Sequence, residues 1–147
     1  MKVIIIEDEL LAQAKLETML VSLDSAIEVM ARISSVKDAL NWLSENPAPD
    51  LAFVDIQLSD DYSFEIFRRH PVSFPVIFTT AYDKYLLESF EFNSIDYLLK
   101  PITEEKLKRA LDKVKKLAQH FLQGNLLETI QRFDYGRKRI LAKKGTE

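Results

Sequence analysis

Residues 51–57 read Leu-Ala-Phe-Val-Asp-Ile-Gln, an apolar run that carries one carboxylate, that of Asp55, close to its end. The residues that bound the run favour turns: Pro47, Pro49 and Asp50 before it, and Ser59, Asp60 and Asp61 after it. A short apolar run between turns is typical of a strand that is covered on both faces, as in a parallel sheet. Ligands bind outside the carboxyl ends of the strands in such sheets. We therefore expect a central strand that presents Asp55 at a binding edge.

Three other apolar runs also end in polar residues. They are residues 2–6, followed by Glu7-Asp8-Glu9, residues 75–78, followed by Thr79-Thr80-Ala81, and residues 95–99, followed by Lys100-Pro101. Such runs predict strands, and residues 27–33 predict one more. If these strands are parallel neighbours, their ends bring carboxylates, a hydroxyl group and an ammonium group to the same edge of the sheet.

The residue types at these strand ends suit a metal ion and a phosphoryl group. Glu7, Asp8 and Asp55 offer the oxygen ligands that Mg²⁺ prefers, and Mg²⁺ bound in this way keeps positions for water and phosphate oxygens. Thr80 can donate a hydrogen bond to a phosphoryl oxygen, and Lys100 can place a positive charge beside it. A simpler alternative stays open for two of these residues, since Asp8 and Thr80 can each cap the helix that follows.

Helical periodicity predicts helices between the strands. We expect them at about residues 10–22, after Ser35, around Phe64, at about residues 84–92 and after Thr103. Ser35 and Thr103 are residue types that favour helix N-termini. The helix over residues 84–92 is very apolar for a surface element, which favours an interface on the face it forms with the last strand and the last helix.

Composition excludes several classes of function. All three glycines lie at positions 124, 136 and 145, so a dinucleotide-binding fingerprint and a phosphate-cradling P-loop are excluded. The net charge of -3 gives no reason to expect that the chain as a whole binds nucleic acid or an anionic membrane. The sequence has no cysteine, no signal-peptide pattern and no apolar run of membrane-spanning length. We expect a soluble, cytoplasmic protein with no membrane partner.

The strand-end motifs together resemble the CheY-like receiver domain of two-component response regulators. The matching features are Glu7-Asp8 after the first strand, Asp55 at the end of the third, Thr80-Ala81 after the fourth and Lys100-Pro101 after the fifth. Residues 78–85 and 95–101 are most similar to the branch whose output is a LytTR-type (LytR/AlgR-type) DNA-binding domain. The resemblance covers about residues 1–122 and implies an α/β fold, a doubly wound five-stranded parallel sheet in the flavodoxin-like order 2-1-3-4-5 with helices on both faces.

The resemblance also implies a chemistry. Receivers accept a phosphoryl group from the phosphohistidine of a sensor histidine kinase, and the matching acceptor here is Asp55. The implied cofactor is Mg²⁺, held by Glu7, Asp8, Asp55 and the backbone carbonyl of Gln57. Lys100 would balance the charge on the phosphoryl oxygens. Such a protein is not an enzyme in the usual sense, because it catalyses only its own phosphorylation and dephosphorylation.

The output implied by the resemblance is a conformational switch. Thr80 would move to bond the phosphoryl group, and Tyr97 would swing inward as its partner in the switch. The consequence would be a homodimer through the face of the fourth helix, fifth strand and fifth helix, with DNA bound only through a C-terminal domain. For Tyr97 the alternative is a half-buried strand aromatic with no switching function.

Two positions depart from the family pattern. Receivers carry a proline and a glycine in the loop after the phosphoacceptor, and the matching positions here are Ser59 and Ser63. Without the glycine, any residue with a positive φ in this loop must be a polar residue that tolerates it, such as Asp60 or Asp61. The departure bears on the shape of the loop and on its contacts to the metal.

The last part of the chain differs in character from the rest. We expect a linker over residues 123–136 and the truncated start of a LytTR-type DNA-binding domain over residues 137–147, whose sequence resembles the opening strand of such a domain. On composition alone, residues 137–147 are a basic disordered tail.

Two functions from other classes remain as alternatives. An aspartyl-nucleophile phosphatase also combines an aspartate, Mg²⁺ and a parallel sheet, but it expects a second aspartate two residues after the nucleophile, where this chain has Gln57. A receiver-like interaction module that acts without phosphorylation is compatible with Ser59 and Ser63. The presence of Asp55, Thr80 and Lys100 argues against it, because a site without chemistry has no physical need for all three.

Overall fold

The computed structural model describes residues 1–92 and 94–122 as alternating strands and helices. The strands are β1 (Lys2–Ile6), β2 (Glu28–Ile33), β3 (Leu51–Asp55), β4 (Val76–Thr80) and β5 (Ser94–Leu99). The helices are α1 (Leu10–Leu23), α2 (Val36–Glu45), α3 (Phe64–Arg69), α4 (Leu86–Ser89) and α5 (Glu104–Leu122). The predicted linker over 123–136 and the predicted start of a DNA-binding domain over 137–147 lie outside the described residues.

All five strands are parallel and form one sheet in the order β2-β1-β3-β4-β5. This order confirms the predicted doubly wound arrangement. Strand β3 lies at the centre, and all five of its residues are buried. The winding of the chain reverses between β1 and β3, so the carboxyl ends of these two strands form the crevice where open α/β sheets bind ligands.

Side chains alternate along the strands and build a core on each face of the sheet. On one face Val3 and Ile5 of β1 pack with apolar residues of α1 and α5, and on the other Ile4 and Ile6 pack with residues of α2 and α3. The helical members of the two cores are Leu16, Leu20, Leu107, Ala110, Leu111 and Val114 on the first face, and Val36, Ala39, Leu43, Phe64, Ile66 and Phe67 on the second. Because the inner strands β1, β3 and β4 are covered on both faces, their sequences are almost continuously apolar, whereas the edge strands β2 and β5 are partly exposed and carry charged residues.

Two of the predicted helix caps are confirmed and one is wrong. The Ser35 hydroxyl accepts a hydrogen bond from the Asp38 N–H at 3.0 Å, and the Thr103 hydroxyl accepts one from the Lys106 N–H at 3.2 Å. Helix α1, however, is preceded by Glu9 at its N-cap, without a side-chain bond, rather than by Asp8. Asp8 contributes its carboxylate to an acidic cluster instead.

The predicted continuous helix over residues 84–92 is also wrong. This segment consists of a 3₁₀ turn (Asp83–Tyr85), the single α-helical turn α4 and a second 3₁₀ turn (Phe90–Phe92). Ser89 is buried, and its hydroxyl donates to the carbonyl of Leu86 at 2.6 Å. A serine hydroxyl that bonds to a backbone carbonyl in its own turn competes with regular helical hydrogen bonding. Apolar spacing alone could not show this competition.

No helix in the described part of the chain combines the length and the apolar character that a membrane span needs.

The loop between β3 and α3 reaches its shape without a glycine at the family's position. Ser63 has φ −66° and ψ −17°, a right-handed conformation that any residue adopts. Its side chain is fully buried, and its hydroxyl oxygen has no hydrogen-bond partner within residues 1–92 and 94–122. The serine therefore causes no backbone strain, but it leaves a polar atom unsatisfied in the core.

Replacing Ser63 with alanine is expected to stabilise the fold. A buried polar group without a partner costs about 1–3 kcal/mol, so the free energy of unfolding of Ser63→Ala should exceed that of the original chain by about 1 kcal/mol. Urea denaturation followed by circular dichroism measures the difference. Ser59→Ala, which changes an exposed serine of the same loop, is the matched control and should leave stability unchanged. A destabilised Ser63→Ala would contradict the assignment of an unpartnered hydroxyl.

Candidate functional site

Three strand ends hold the charged residues of the site in fixed positions. Glu7 follows β1, Asp55 is the last residue of β3, and Lys100 follows β5. Hydrogen bonds between strands continue past these ends, since the Glu7 N–H donates to the carbonyl of Ile33 at 2.8 Å and the Lys100 N–H donates to that of Thr80 at 2.7 Å. Each side chain therefore leaves from backbone that is still part of the sheet.

The ammonium group of Lys100 lies between two buried carboxylates. Its Nζ is 2.7 Å from Oε1 of Glu7 and 3.2 Å from Oδ2 of Asp55. The side chains of Glu7 and Asp55 are 7% and 10% exposed, whereas that of Lys100 is 29% exposed. Attraction between opposite charges is stronger away from water than at the surface, but two carboxylates share this one ammonium, so their burial also costs energy.

Glu7, Asp8 and Asp55 together form an acidic cluster. One carboxylate oxygen from each lies within 4.8 Å of the others. Asp8 is the most accessible of the three, so the cluster opens toward solvent on its side. Oxygen ligands spaced in this way fit a hard divalent cation that keeps part of its water shell.

Burial and crowding strongly affect the pKa values of these acids. Burial, together with the negative charge of Glu7, raises the pKa of Asp55 to about 7 in spite of the opposing effect of Lys100. Burial and the neighbouring Glu7 also raise the pKa of Asp8. Burial acts on Glu7 as well, but its hydrogen bonds with Lys100 and Asp55 outweigh it and lower the pKa of Glu7. Without a metal cation, the cluster holds its negative charge at a high energetic cost.

A glutamine of α1 supports the cluster and was not predicted. The Gln13 side chain is buried, and its Nε2 donates to the backbone carbonyl of Glu7. Gln13, Leu16 and Leu20 share the buried face of α1. A polar residue in phase with the apolar stripe of a helix was the available signal, because a buried amide requires a partner.

Thr80 lies at the end of β4, next to the predicted acceptor strand. Asp55 is paired in register with Thr79, so Thr80 is one residue further along the neighbouring strand. The Thr80 side chain is buried, and its hydroxyl accepts a hydrogen bond from the N–H of Tyr82 at 3.3 Å. This bond holds the start of the β4–α4 loop rather than the first turn of a regular helix.

Tyr97 lies further from the charged cluster, on β5. Its side chain is half-buried, and its hydroxyl donates to the carbonyl of Tyr82 and accepts from the N–H of Tyr85 at 3.3 Å. The Tyr97 ring is thus joined to the same loop that the Thr80 hydroxyl holds. The two residues of the predicted switch therefore bond to the same residue of this loop, Tyr82, at its N–H and at its carbonyl.

Gln57 lies two residues after Asp55, in the β3–α3 loop. Its side chain bonds to a tyrosine rather than to the acidic cluster. Its Nε2 donates to the hydroxyl of Tyr85 at 3.1 Å, which in turn contacts the hydroxyl of Tyr62 at 3.4 Å. Gln57 and Tyr62 also form an isolated antiparallel bridge. The two hydrogen bonds of that bridge belong to the flanking residues, so the N–H and carbonyl of Gln57 take no part in it.

Comparison with protein families gives a broad match. The model of the response regulator receiver domain matches residues 3–112. The sensory transduction protein LytT of Bacillus anthracis is 40% identical over 124 residues, which cover 81% of this chain and 49% of that protein. LytT of Bacillus subtilis is 31% identical, with coverage of 99% of this chain and 58% of that protein. The chain spans about half the length of the curated relatives it matches.

Solved structures give the same family. The response regulatory domain of protein mrkE from Klebsiella pneumoniae has a TM-score of 0.69 and 29% sequence identity, with coverage of 84% of this chain and 99% of that domain. The receiver domain of PhyR from Erythrobacter litoralis, solved by NMR, has a TM-score of 0.65 and 27% identity over 77% of this chain. The residues 3–112 that the family model matches include the three strand ends that carry the charged cluster.

The raised pKa of Asp55 predicts that the metal-free chain loses stability as the pH rises. Between the ordinary value of 3.8 and about 7, the folded state keeps a proton that the unfolded state has released, so the free energy of unfolding falls across this range. Asp55→Asn removes the effect. It should be as stable as the original chain near pH 4 and more stable near pH 8, by at most about 4 kcal/mol.

Urea denaturation in EDTA at several pH values measures this difference. Asp61→Asn, which changes an exposed carboxylate of the adjacent loop, is the matched control and should show no such trend. A stability difference between Asp55→Asn and the original chain that stays constant from low to high pH would refute the assignment.

Proposed function

The chain belongs to the response regulator receiver domain family, and we propose that it accepts a phosphoryl group on Asp55 from the phosphohistidine of a sensor histidine kinase. The contact on which the proposal rests is that of the Lys100 ammonium with both Glu7 and Asp55, at 2.7 and 3.2 Å. It places a cation beside the one acid that ends the central strand. Glu7 shares this lysine, but Asp55 is the acid that belongs to the buried central strand β3.

In the proposed reaction the Asp55 carboxylate is the nucleophile. A carboxylate oxygen attacks the phosphorus atom and forms an O–P bond as the P–N bond breaks, and the imidazole nitrogen leaves with the electron pair of the broken bond. The attack requires the ionised form of Asp55, which Lys100 favours by its charge. The same ammonium lies within reach of the oxygens that the phosphoryl group brings, where it stabilises the added charge.

The acidic cluster fits Mg²⁺ as the cofactor. We assign its ligands to Glu7, Asp8, Asp55 and the backbone carbonyl of Gln57, which takes no part in the hydrogen bonds of the neighbouring bridge. When bound, Mg²⁺ supplies the positive charge that lets the three carboxylates remain ionised together and that balances the phosphoryl oxygens. The chain's own contribution is the spacing of the ligands and the burial of the nucleophile.

Phosphorylation would act on the loop between β4 and α4. It adds about −1.5 to −2 charge at one strand end. Thr80 lies one residue past the β4 residue that is paired with Asp55, and its hydroxyl at present holds the N–H of Tyr82. Exchanging that bond for one to the phosphoryl group frees the loop that Tyr97 also contacts. Thr80 and Tyr97 would thus act as a switch pair.

The surface formed by α4, β5 and α5 is the proposed dimer face. Leu86, Leu87 and Leu99 on this surface are each between 38% and 47% exposed. A groove beside them is lined by acidic and basic residues together, among them Asp83 and Arg109. A surface that carries apolar groups and both signs of charge can pair with a copy of itself around a two-fold axis.

The output would be control of DNA binding, and we assign it to a C-terminal LytTR-type domain that starts within residues 137–147. The greater length of the curated relatives supports this assignment. The alternative of a module that acts without phosphorylation rested on Ser59 and Ser63. Since Ser63 adopts an ordinary backbone conformation, the missing glycine gives no reason to prefer that alternative.

Incubation with Mg²⁺ and a small-molecule phosphodonor should produce a single phosphoryl adduct on the chain, detected by intact mass spectrometry. Asp55→Asn and addition of EDTA should each abolish it, whereas Asp61→Asn should not. Lys100→Ala should slow labelling by about 100-fold, the effect of removing one group that stabilises developing charge. An adduct that persists in Asp55→Asn, or one formed equally well in EDTA, would refute the proposed chemistry.

Phosphorylation should also increase dimerisation, measured by sedimentation velocity. Leu86→Glu places a charge on the proposed dimer face and should block the phosphorylation-dependent dimer without reducing labelling of Asp55. Leu11→Glu, on α1 and away from this face, changes a leucine that is 80% exposed and is the matched control. If Leu86→Glu dimerises as well as Leu11→Glu does, the dimer uses another surface.

A further inference from the structure

Asp60 connects the loop of the phosphoacceptor to a different helix. It lies between β3 and α3, five residues after Asp55. Its Oδ1 accepts a hydrogen bond from the N–H of Val36 at 2.9 Å, and its Oδ2 accepts one from the N–H of Lys37 at 3.1 Å. These are the first two residues of α2, whose N–H groups have no partner within the helix.

Helix α2 does not need Asp60 in order to be capped. Ser35 already occupies the N-cap position, and its hydroxyl accepts from the N–H of Asp38. A second cap that comes from 24 residues away along the chain instead fixes the loop relative to the helix. Burial works against the charge of Asp60, but the bonds from Val36 and Lys37 outweigh it and lower the pKa of this carboxyl.

The segment that Asp60 anchors is short and carries Gln57. Inside it, the N–H of Leu58 donates to the carbonyl of Asp61 at 3.1 Å, and the N–H of Ser63 donates to that of Ile56 at 2.8 Å. These bonds close the loop on itself but do not fix its direction. The loop has serine where a proline would restrict the backbone directly.

We propose that Asp60 is a positioning residue: by bonding the first turn of α2 with both carboxylate oxygens, it fixes the β3–α3 loop and thereby the Gln57 carbonyl at the metal site. This inference rests on the proposed function, in which that carbonyl is a ligand. Asp60 touches neither the nucleophile nor the other carboxylates of the cluster. Its effect on the metal is transmitted through the backbone between residues 57 and 60.

The test compares Asp60→Ala with Ser35→Ala, since both remove a cap from the same end of α2 but only Asp60 is joined to the loop. Isothermal titration calorimetry with MgCl₂ alone gives the Mg²⁺ affinity, and thermal denaturation gives stability. Asp60→Ala should weaken Mg²⁺ binding by about tenfold, as loss of a supporting group around a metal site does. Asp60→Asn keeps one acceptor oxygen, so its Mg²⁺ affinity should lie between that of Asp60→Ala and that of the original chain. Ser35→Ala should lower the melting temperature with Mg²⁺ affinity unchanged.

Either of two results would overturn the inference: Mg²⁺ affinity of Asp60→Ala within twofold of the original chain, or an equal loss in Ser35→Ala. If Asp60→Ala does not fold, Asp60→Asn decides by the same measurement.

If the original chain binds no Mg²⁺, the proposed function fails, and hydrogen exchange of the Leu58 and Ser63 amides then tests Asp60 by itself. Asp60→Ala, or Asp60→Asn if needed, should speed their exchange where Ser35→Ala does not. Unchanged exchange would reject a positioning effect.

Discussion

The site depends on one lysine, whose ammonium group lies between two buried carboxylates and partly balances their negative charge. Lys100 is 93 residues from Glu7 and 45 from Asp55 along the chain, so only the completed sheet brings the three together. Two desolvated carboxylates whose oxygen atoms lie within 4.8 Å of each other repel strongly in a medium of low polarity. Even with its ammonium in place, the pKa of Asp55 rises to about 7. The single positive charge of Lys100 is therefore too small to balance this cluster, which supports the proposed site for a second cation.

That imbalance requires the backbone around the cluster to be well anchored. A group that is held at high energy escapes its strain if its backbone can move, so each acid has to be anchored. The Glu7 backbone is bonded to Ile33 on one side and to the buried Gln13 amide on the other. Asp55 belongs to a strand that is buried along its full length. Only the loop beyond Asp55 lacks such support from the sheet, and there Asp60 provides two bonds to α2.

Local sequence patterns predict several parts of this structure. The strands and their order, the caps at Ser35 and Thr103, and the residues at the carboxyl edge all follow from apolar runs, turn formers and the family's motifs. Gln13, Asp60 and the hydroxyl of Tyr85 did not follow, because each meets a polar partner that lies outside its own helix or turn. The broken helix around α4 was missed for a related reason: the bond of Ser89 to its own turn is invisible to a count of apolar residues.

Hydrogen bonds between neutral groups connect the loop that follows Asp55 to the proposed dimer face. The bonds from Gln57 to Tyr85, from Tyr85 to Tyr62 and from the Tyr85 N–H to Tyr97 measure 3.1, 3.4 and 3.3 Å. Neutral bonds contribute only about 1 kcal/mol each, whereas the charge that the proposed phosphorylation would add on Asp55 acts on a site where loss of a single ion pair matters more than that. The proposed modification would therefore carry enough energy to rearrange these bonds while the sheet, with its regular ladders, stays as it is. The proposed switch requires both firm anchoring of the acids and neutral hydrogen bonds toward α4, since a site that moved would lose its proposed ligands and a path that could not move would transmit nothing.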